Sequence, residues 1–375
     1  MIINFITKIP REVLDFLHII TQNLYPNSVK IVGGFVRDGL LNILQNNCDI
    51  DLSTTANPRE IRAKLSNIER IVIKDLGGEQ YGTLCLIDKY TGKMFEITST
   101  RRDILTFGRG ATVEFCASFE EDSMRRDFTV NALYCDLDGN ISDYHHGIDD
   151  LNSKNIRFIG DIHARITEDY LRILRYFRFC NIFQNISPDI TKICQKYAPD
   201  MKIISKERIK NEMEKMLNYP SYNTLKTMQD AQILQYIIPG AQIDIIEKIE
   251  QLSVHFPISM PINEIKFASL FHQNFQDFCL NSKQKSLLQK AKLQLNYDVI
   301  DSFIHYGADL SAQMYMLNTP ENVPFEILKI LQDAQIPRLE IDYTNLPPNQ
   351  IKSLIYKHKR EICERIVNNF QNTCK

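Results

Sequence analysis

The sequence lacks any apolar run of the roughly 18 to 20 residues that a membrane-spanning helix needs. Its start, MIINFITKIPRE, has no basic segment ahead of an apolar stretch and no small-residue cleavage pattern, so a secretory leader is not expected. No CxxC pair occurs among its nine cysteines, and no His pair sits at zinc-site spacing. Cys48, Cys85, Cys116, Cys135, Cys180, Cys194, Cys279, Cys363 and Cys374 are scattered and odd in number. That pattern suits small buried hydrophobes in a reducing cytoplasm rather than a disulfide scaffold. Neither sign of charge dominates: 44 Lys and Arg stand against 46 Asp and Glu, a net of −2. The overall balance therefore gives no pointer to nucleic acid. Internal repeats and low-complexity tracts are also missing.

What is present is an ordinary globular composition. The 375 residues are 44% apolar and 24% charged, enough to bury more than one core. The texture changes near residue 145. Before it, short β-branched runs alternate with Gly-containing turns; after it, long segments of helical period dominate. The pattern predicts helices over 10–22, 35–44 and 57–65, the last with Asn57 as N-cap and Pro58 at its first position. It predicts strands over 28–34 and 48–53, then in RIVIKD, YGTLCLID and KMFEITST, with a turn at Thr91-Gly92. TFGRGA (106–111) reads as a Gly-rich connector. Ser118 and Glu121 have capping-box spacing, and a hairpin is expected through Asp138-Gly139. Helices follow over 168–180, 204–217 and 223–238, and NLPPNQ (345–350) precedes a final one.

Four constellations carry chemistry. Asp49 and Asp51 flank Ile50 on a predicted strand, so both carboxylates share one face. Paired hard oxygens suit one or two Mg²⁺ ions, although a lone DxD is more often a solvated strand face. GGFVRD (33–38) ends a strand and opens a helix. There Gly33 and Gly34 would admit a phosphate, and Arg37 would add a bidentate contact. It is neither a Walker loop nor a dinucleotide fingerprint. Arg126 and Asp127 in RRDFTVNA form the third; a surface Arg pair is its bland alternative.

EDYLRILRYFRF (168–179) is the fourth. As one helix it shows two apolar stripes: Tyr170, Ile173, Tyr176 and Phe179, and Leu171, Leu174, Phe177 and Cys180. The remaining stripe is Asp169, Arg172, Arg175 and Arg178. A helix buried on most sides half-encloses that stripe, and three arginines there repel unless something negative answers them. Asp169 answers one, and a triphosphate would answer the rest; a salt-bridged solvent face is the alternative. Together the four supply what nucleotidyl transfer from a nucleoside triphosphate requires.

At this point the sequence resembles a known family. IVGGFVRDGLLN, CDIDLSTTANPREI, FEITSTRRDI, RRDFTVNALYCDLDGNISD, RITEDYLRILRYFRF and ISKERIKNEM are similar, in order, to the motifs of class II tRNA nucleotidyltransferases and poly(A) polymerases, within the DNA polymerase beta superfamily. The resemblance covers about residues 30–217. It implies an α/β N-terminal nucleotidyltransferase head over 1–145, an all-α neck over 146–220 that recognises the base, and a body and tail over 221–375 that bind tRNA. It implies CCA addition to tRNA 3′ ends from CTP and ATP without a nucleic-acid template. Asp49 and Asp51 would be the catalytic, Mg²⁺-binding pair, with Glu96 a possible third acid. Gly34, Arg37, Arg126, Asp169, Arg172, Arg175 and Arg178 would bind the nucleotide, with Asp169 and Arg172 of EDxxR reading the base edge. A carboxylate accepts from the exocyclic amine that C and A share, and Arg donates to ring nitrogen or carbonyl.

Departures from the family pattern are Tyr81 before Gly82-Thr83, where relatives often have His, and Tyr144-His145-His146-Gly147 after Asp143. Neither touches the metal or base contacts. Adjacent His145 and His146 point different ways and are not expected to hold a metal. The 106–111 segment is expected to carry the switch from C to A addition, so that replacing Arg109 and shortening the segment should impair A addition more than C addition. Residues 351–375 carry six Lys and Arg against Glu361 and Glu364, which suits either a phosphate-facing or a merely solvated helix. Poly(A) addition, partial CC or A addition, and a non-catalytic RNA-binding module are the competing functions. No phosphohydrolase constellation and no membrane partner are expected, and oligomeric state is not legible.

Overall fold

The computed structural model describes residues 4–44, 48–107, 110–115, 118–252, 261–271, 280–294, 298–318, 324–334, 336 and 347–373. The chain divides into two compact units, Met1–Tyr197 and Ala198–Lys375.

In the first unit, β1 (Val29–Val32), β2 (Asp51–Thr54), β3 (Ile71–Lys74), β4 (Thr83–Asp88) and β5 (Met94–Ser99) join β8 (Leu133–Cys135) and β9 (Ile141–Asp143) in one sheet. Its order is β3-β4-β5-β2-β1-β8-β9, and β2 and β5 run parallel while the other neighbours are antiparallel. A two-stranded sheet, β6 (Arg101–Phe107) and β7 (Gly110–Phe115), stands apart. The Gly-rich connector expected over 106–111 is thus mostly the tip of this strand pair, with Phe107 opposite Gly110. β-branched and aromatic residues on both flanks favour the ladder, which extends as far as Phe107 and Gly110 among the described residues. Arg109 lies outside the described residues.

The expected helices form α1 (Arg11–Asn23), α2 (Gly34–Leu40) and α3 (Pro58–Leu65). α1 buries Val13, Phe16, Leu17 and Ile20, the i, i+3, i+4, i+7 face, and Phe16 meets Phe95 of β5 at 5.1 Å. Asn57 caps α3 reciprocally with Glu60. Next come α4 (Phe119–Met124), capped by Ser118, and α5 (Gly147–Asn152). α6 (Ile162–Glu168), α7 (Leu171–Phe183) and α8 (Pro188–Tyr197) complete the unit. Gly139 at φ +86° turns the β8–β9 hairpin as expected.

The second unit holds α9 (Lys206–Leu217), α10 (Tyr222–Asp230), α11 (Asp244–Leu252), α12 (Ile262–Ser269), α13 (Ser282–Gln294), α14 (Val299–Asn318), α15 (Phe325–Asp333) and α16 (Pro348–Thr373). The helix expected over 223–238 stops at Asp230, where Gln232 takes a positive φ of 56°. Buried Lys266 ties this unit together: its Nζ donates to the carbonyls of Leu217 and Tyr219 and to Glu250 Oε1, which also accepts from Ser221. In basic α16, Arg360 is held by Asp298, Asp301 and Glu364. Among the described residues no helix is long and apolar enough to cross a membrane.

Candidate active site

Asp51 opens β2 and pairs with Val32, the last residue of β1. Asp49 precedes the strand, yet exposure alternates through Asp49 (exposed), Ile50 (buried), Asp51 (exposed) and Leu52 (buried). The two carboxylates therefore leave the backbone on one side. Mg²⁺ commonly takes one or two protein carboxylates and completes its shell with water and phosphate oxygens, so this donor set fits it. Glu96 precedes Ile97, the parallel partner of Leu52, and is exposed too. Among the described residues, however, no three His, Cys, Asp or Glu side chains are grouped to hold a metal.

Beyond Val32 the chain turns at Gly33, whose φ of +76° would strain any L side chain, and α2 begins at Gly34. Arg37 is 7% exposed. Its Nε lies 2.8 Å from Asp38 Oδ1, its Nη2 2.7 Å from the same oxygen, and its Nη1 2.7 Å from Asn131 Oδ1. The ring of Phe179 covers its face at 4.8 Å. The bidentate edge read as a phosphate grip is turned to Asp38.

The neck segment departs from the single helix expected over 168–180. Glu168 ends α6, Asp169 is extended at φ −156°, and α7 starts only at Leu171. Asp169 Oδ1 accepts from the Leu171 amide at 3.2 Å, a local bond of the kind that favours acids just ahead of helices. The carboxylate that meets Arg172 is that of Glu168, at 2.5 Å, and Arg165 pairs with the same oxygen. From Leu171 onward the stripes are as read. Leu171, Ile173, Leu174, Tyr176, Phe177, Phe179 and Cys180 are buried, while Arg172, Arg175 and Arg178 are half-buried.

Arg175 reaches Asp127 at 2.6 Å. Asp127 also accepts from the Phe128 amide and from Asn131 Nδ2. Burial alone would raise the Asp127 carboxyl; the Arg175 charge and these hydrogen bonds outweigh it and hold it at about 2. Phe179 stacks under Arg178 at 4.2 Å as well as under Arg37. Arg175 also lies over the Phe179 ring, at 5.8 Å, so Arg37 on α2 and Arg175 on α7 are joined twice, through Phe179 and through Asn131–Asp127.

Arg125 and Arg126 are not a surface pair. Both bind Asp122, which is fully buried. Arg126 Nε donates to Tyr134 Oη, which in turn donates to Asp122 at 2.7 Å. Burial pushes the Asp122 carboxyl up, but the charges of Arg125 and Arg126 bring it below its ordinary range. His145 Nε2 lies 2.8 Å from Ser123 Oγ. Asp122, Asn131, Phe179 and Arg165 were not singled out in the sequence as site-builders. Only Asp127 and Asn131, four residues apart in RRDFTVN, carry a local hint.

Residues 29–157 match the family model of the poly A polymerase head domain, and 185–244 match that of the probable RNA- and SrmB-binding site of polymerase A. The chain is 33% identical over 273 residues to the zebrafish (Danio rerio) protein named CCA tRNA nucleotidyltransferase 1, mitochondrial, with 71% of this chain and 62% of that one aligned. It is 35% identical to its human namesake, over 65% of this chain and 56% of that one. It is 34% identical to a CCA-adding enzyme of Leuconostoc mesenteroides, over 64% and 58%. The chain thus spans less than two thirds of the length of these relatives. The fold is similar to that of the Bacillus stearothermophilus CCA-adding enzyme solved with CTP, with a TM-score of 0.66, 23% identity and coverage of 96% of this chain and 82% of that one. It is also similar to the Thermotoga maritima enzyme solved with tRNA, with a TM-score of 0.67, 17% identity and coverage of 98% and 97%.

Proposed function

The chain belongs to the family defined by the poly A polymerase head domain and its RNA-binding neighbour, and we propose that it is a CCA tRNA nucleotidyltransferase. It adds C, C and A to tRNA 3′ ends from CTP and ATP. The observation that carries this reading is the double link between Arg37, on the helix that follows the strand paired with Asp51, and Arg175 of α7. It supports a site that handles phosphate and base on one rigid frame.

The tRNA 3′-hydroxyl attacks the α-phosphate in line and pyrophosphate leaves. Asp49 and Asp51 would hold Mg²⁺, which when bound lowers the pKa of the hydroxyl and neutralises developing charge. Gly34 lets the backbone approach the nucleotide. Arg37, Arg126, Arg175 and Arg178 set a positive field around it, and Asp169 with Arg172 reads the base edge. Residues 1–145 act as the head, 146–220 as the neck, and 221–375 bind tRNA. The scattered thiols, six of them free among the described residues, favour the cytoplasm.

The test is incubation of the purified chain with Mg²⁺, tRNA lacking its CCA end, and CTP, ATP or both. Products that stop at CCA are expected. Long A tails would assign poly(A) addition, CC or A alone a partial enzyme, and no incorporation a binding module.

A further inference from the structure

Arg165 sits inside α6, is 9% exposed, and belongs to none of the four constellations. Its Nη2 donates to the backbone carbonyl of Arg126 at 2.8 Å and to that of Arg125. Its Nη1 pairs with Glu168 Oε2. The same Glu168 oxygen receives Arg172 Nη1 at 2.5 Å, and that nitrogen also donates to the Arg165 carbonyl at 2.7 Å. A continuous line of polar contacts thus runs from Arg172 through Glu168 and Arg165 to the backbone that carries Arg126. Asp122 holds the same turn by its side chains. Arg165 holds it by its carbonyls, so the direction of Arg126 is fixed from both sides.

We propose that Arg165 is a positioning residue that couples base selection at Asp169 and Arg172 to the placement of Arg126. The inference rests on the function proposed above and deepens it. A base that seats Arg172 well settles Glu168, and Glu168 settles Arg165. Arg165 then holds the Arg126 turn where the triphosphate needs it. A mismatched base leaves Arg172 displaced and passes that displacement along the same line. Arginine is the residue required here, because its planar fork makes divergent hydrogen bonds to a carboxylate and two carbonyls at once; a lysine offers one compact ammonium.

The experiment uses the full chain and tRNA lacking its CCA end. It measures kcat and KM for CTP and UTP, equilibrium binding of both nucleotides, and thermal unfolding. The proteins are wild type, Arg165→Lys, Glu168→Gln, Arg172→Ala and the Arg165→Lys/Arg172→Ala double variant. Arg165→Lys is expected to lower kcat for CTP about tenfold and to narrow the CTP-over-UTP preference by about tenfold, the size of a lost charged hydrogen bond. Glu168→Gln should narrow it similarly, which keeps the test open should Arg165→Lys fold poorly. In the Arg172→Ala background, Arg165→Lys should add less than about a twofold change to the preference, because contacts on one line are not additive. Equal losses with CTP and UTP, or the full Arg165→Lys effect persisting without Arg172, would overturn the coupling. A wild-type chain that neither binds nor incorporates CTP would overturn the proposed function and this inference with it. A selective wild type whose Arg165→Lys variant stays equally selective would overturn the inference alone.

Discussion

The guanidinium of Arg175 lies 2.6 Å from the carboxylate of Asp127, across 48 residues of sequence. Asp127 is nearly enclosed while Arg175 is half-buried, so removing Arg175 leaves the buried Asp127 charge without its counter-ion. It is the fastening point between α7 and the turn that follows α4.

Acid should expose this pair. The Asp127 carboxyl is held at about 2 against an ordinary 3.8. A depressed acid contributes stability above its unfolded value and loses it as pH falls through the folded one. The pair should add about 2 kcal/mol at neutral pH, lost between roughly pH 4 and 2. Chemical unfolding of wild type and Asp127→Asn across that range checks this. Identical pH slopes for the two proteins would contradict it.

Asp49→Asn and Asp51→Asn should each reduce nucleotide incorporation by about a hundredfold or more while leaving the fold intact, because both side chains are exposed. Equilibrium binding of CTP without divalent cation should change little. A variant that keeps wild-type incorporation in Mg²⁺ would remove that residue from the metal pair.

Phe179 presents its ring to Arg37 and Arg178. Phe179→Leu keeps an apolar side chain and deletes the π face. A loss of about 1–2 kcal/mol in stability is expected. The KM for CTP and ATP should rise with it, measured by steady-state kinetics, since both arginines lose their backing.

Gly147 has no room for a methyl group: a Cβ there would collide with the Thr129 carbonyl, which is backbone and cannot swing away. Gly147→Ala should cost about 2–4 kcal/mol, seen as a lower thermal midpoint. In the second unit, Lys266→Ala should cost about 3–5 kcal/mol, because Glu250 is left as a charge without its ammonium.

Much of this was legible in the sequence where the signal is local. Asn57-Pro58-Arg59-Glu60 announces α3 through its own capping bonds. The two apolar stripes of α7 follow from periodicity alone, as does the alternation through Asp49, Ile50, Asp51 and Leu52. The break at Asp169 was not read, because helix period continues through it and only the backbone shows the interruption. The β6–β7 pair was hidden because the glycines of TFGRGA suggest a connector, although Gly110 itself lies on β7. Asn131 and Arg165 were invisible because their partners Arg37 and Arg126 stand 94 and 39 positions away. No pattern of neighbours encodes such distances.

The pairing of Val32 with Asp51 places an acid next to the residue that leads into the Gly33 turn. That proximity is written in main-chain hydrogen bonds, one strand spacing wide, and owes nothing to side-chain rotamers. It behaves as a ruler with discrete marks. Repacking the interior leaves the separation of acid and turn untouched, whereas sliding β2 by a single residue swings Asp51 to the far side of the sheet. An engineer seeking to retune this centre should therefore alter what surrounds the ladder and never its alignment.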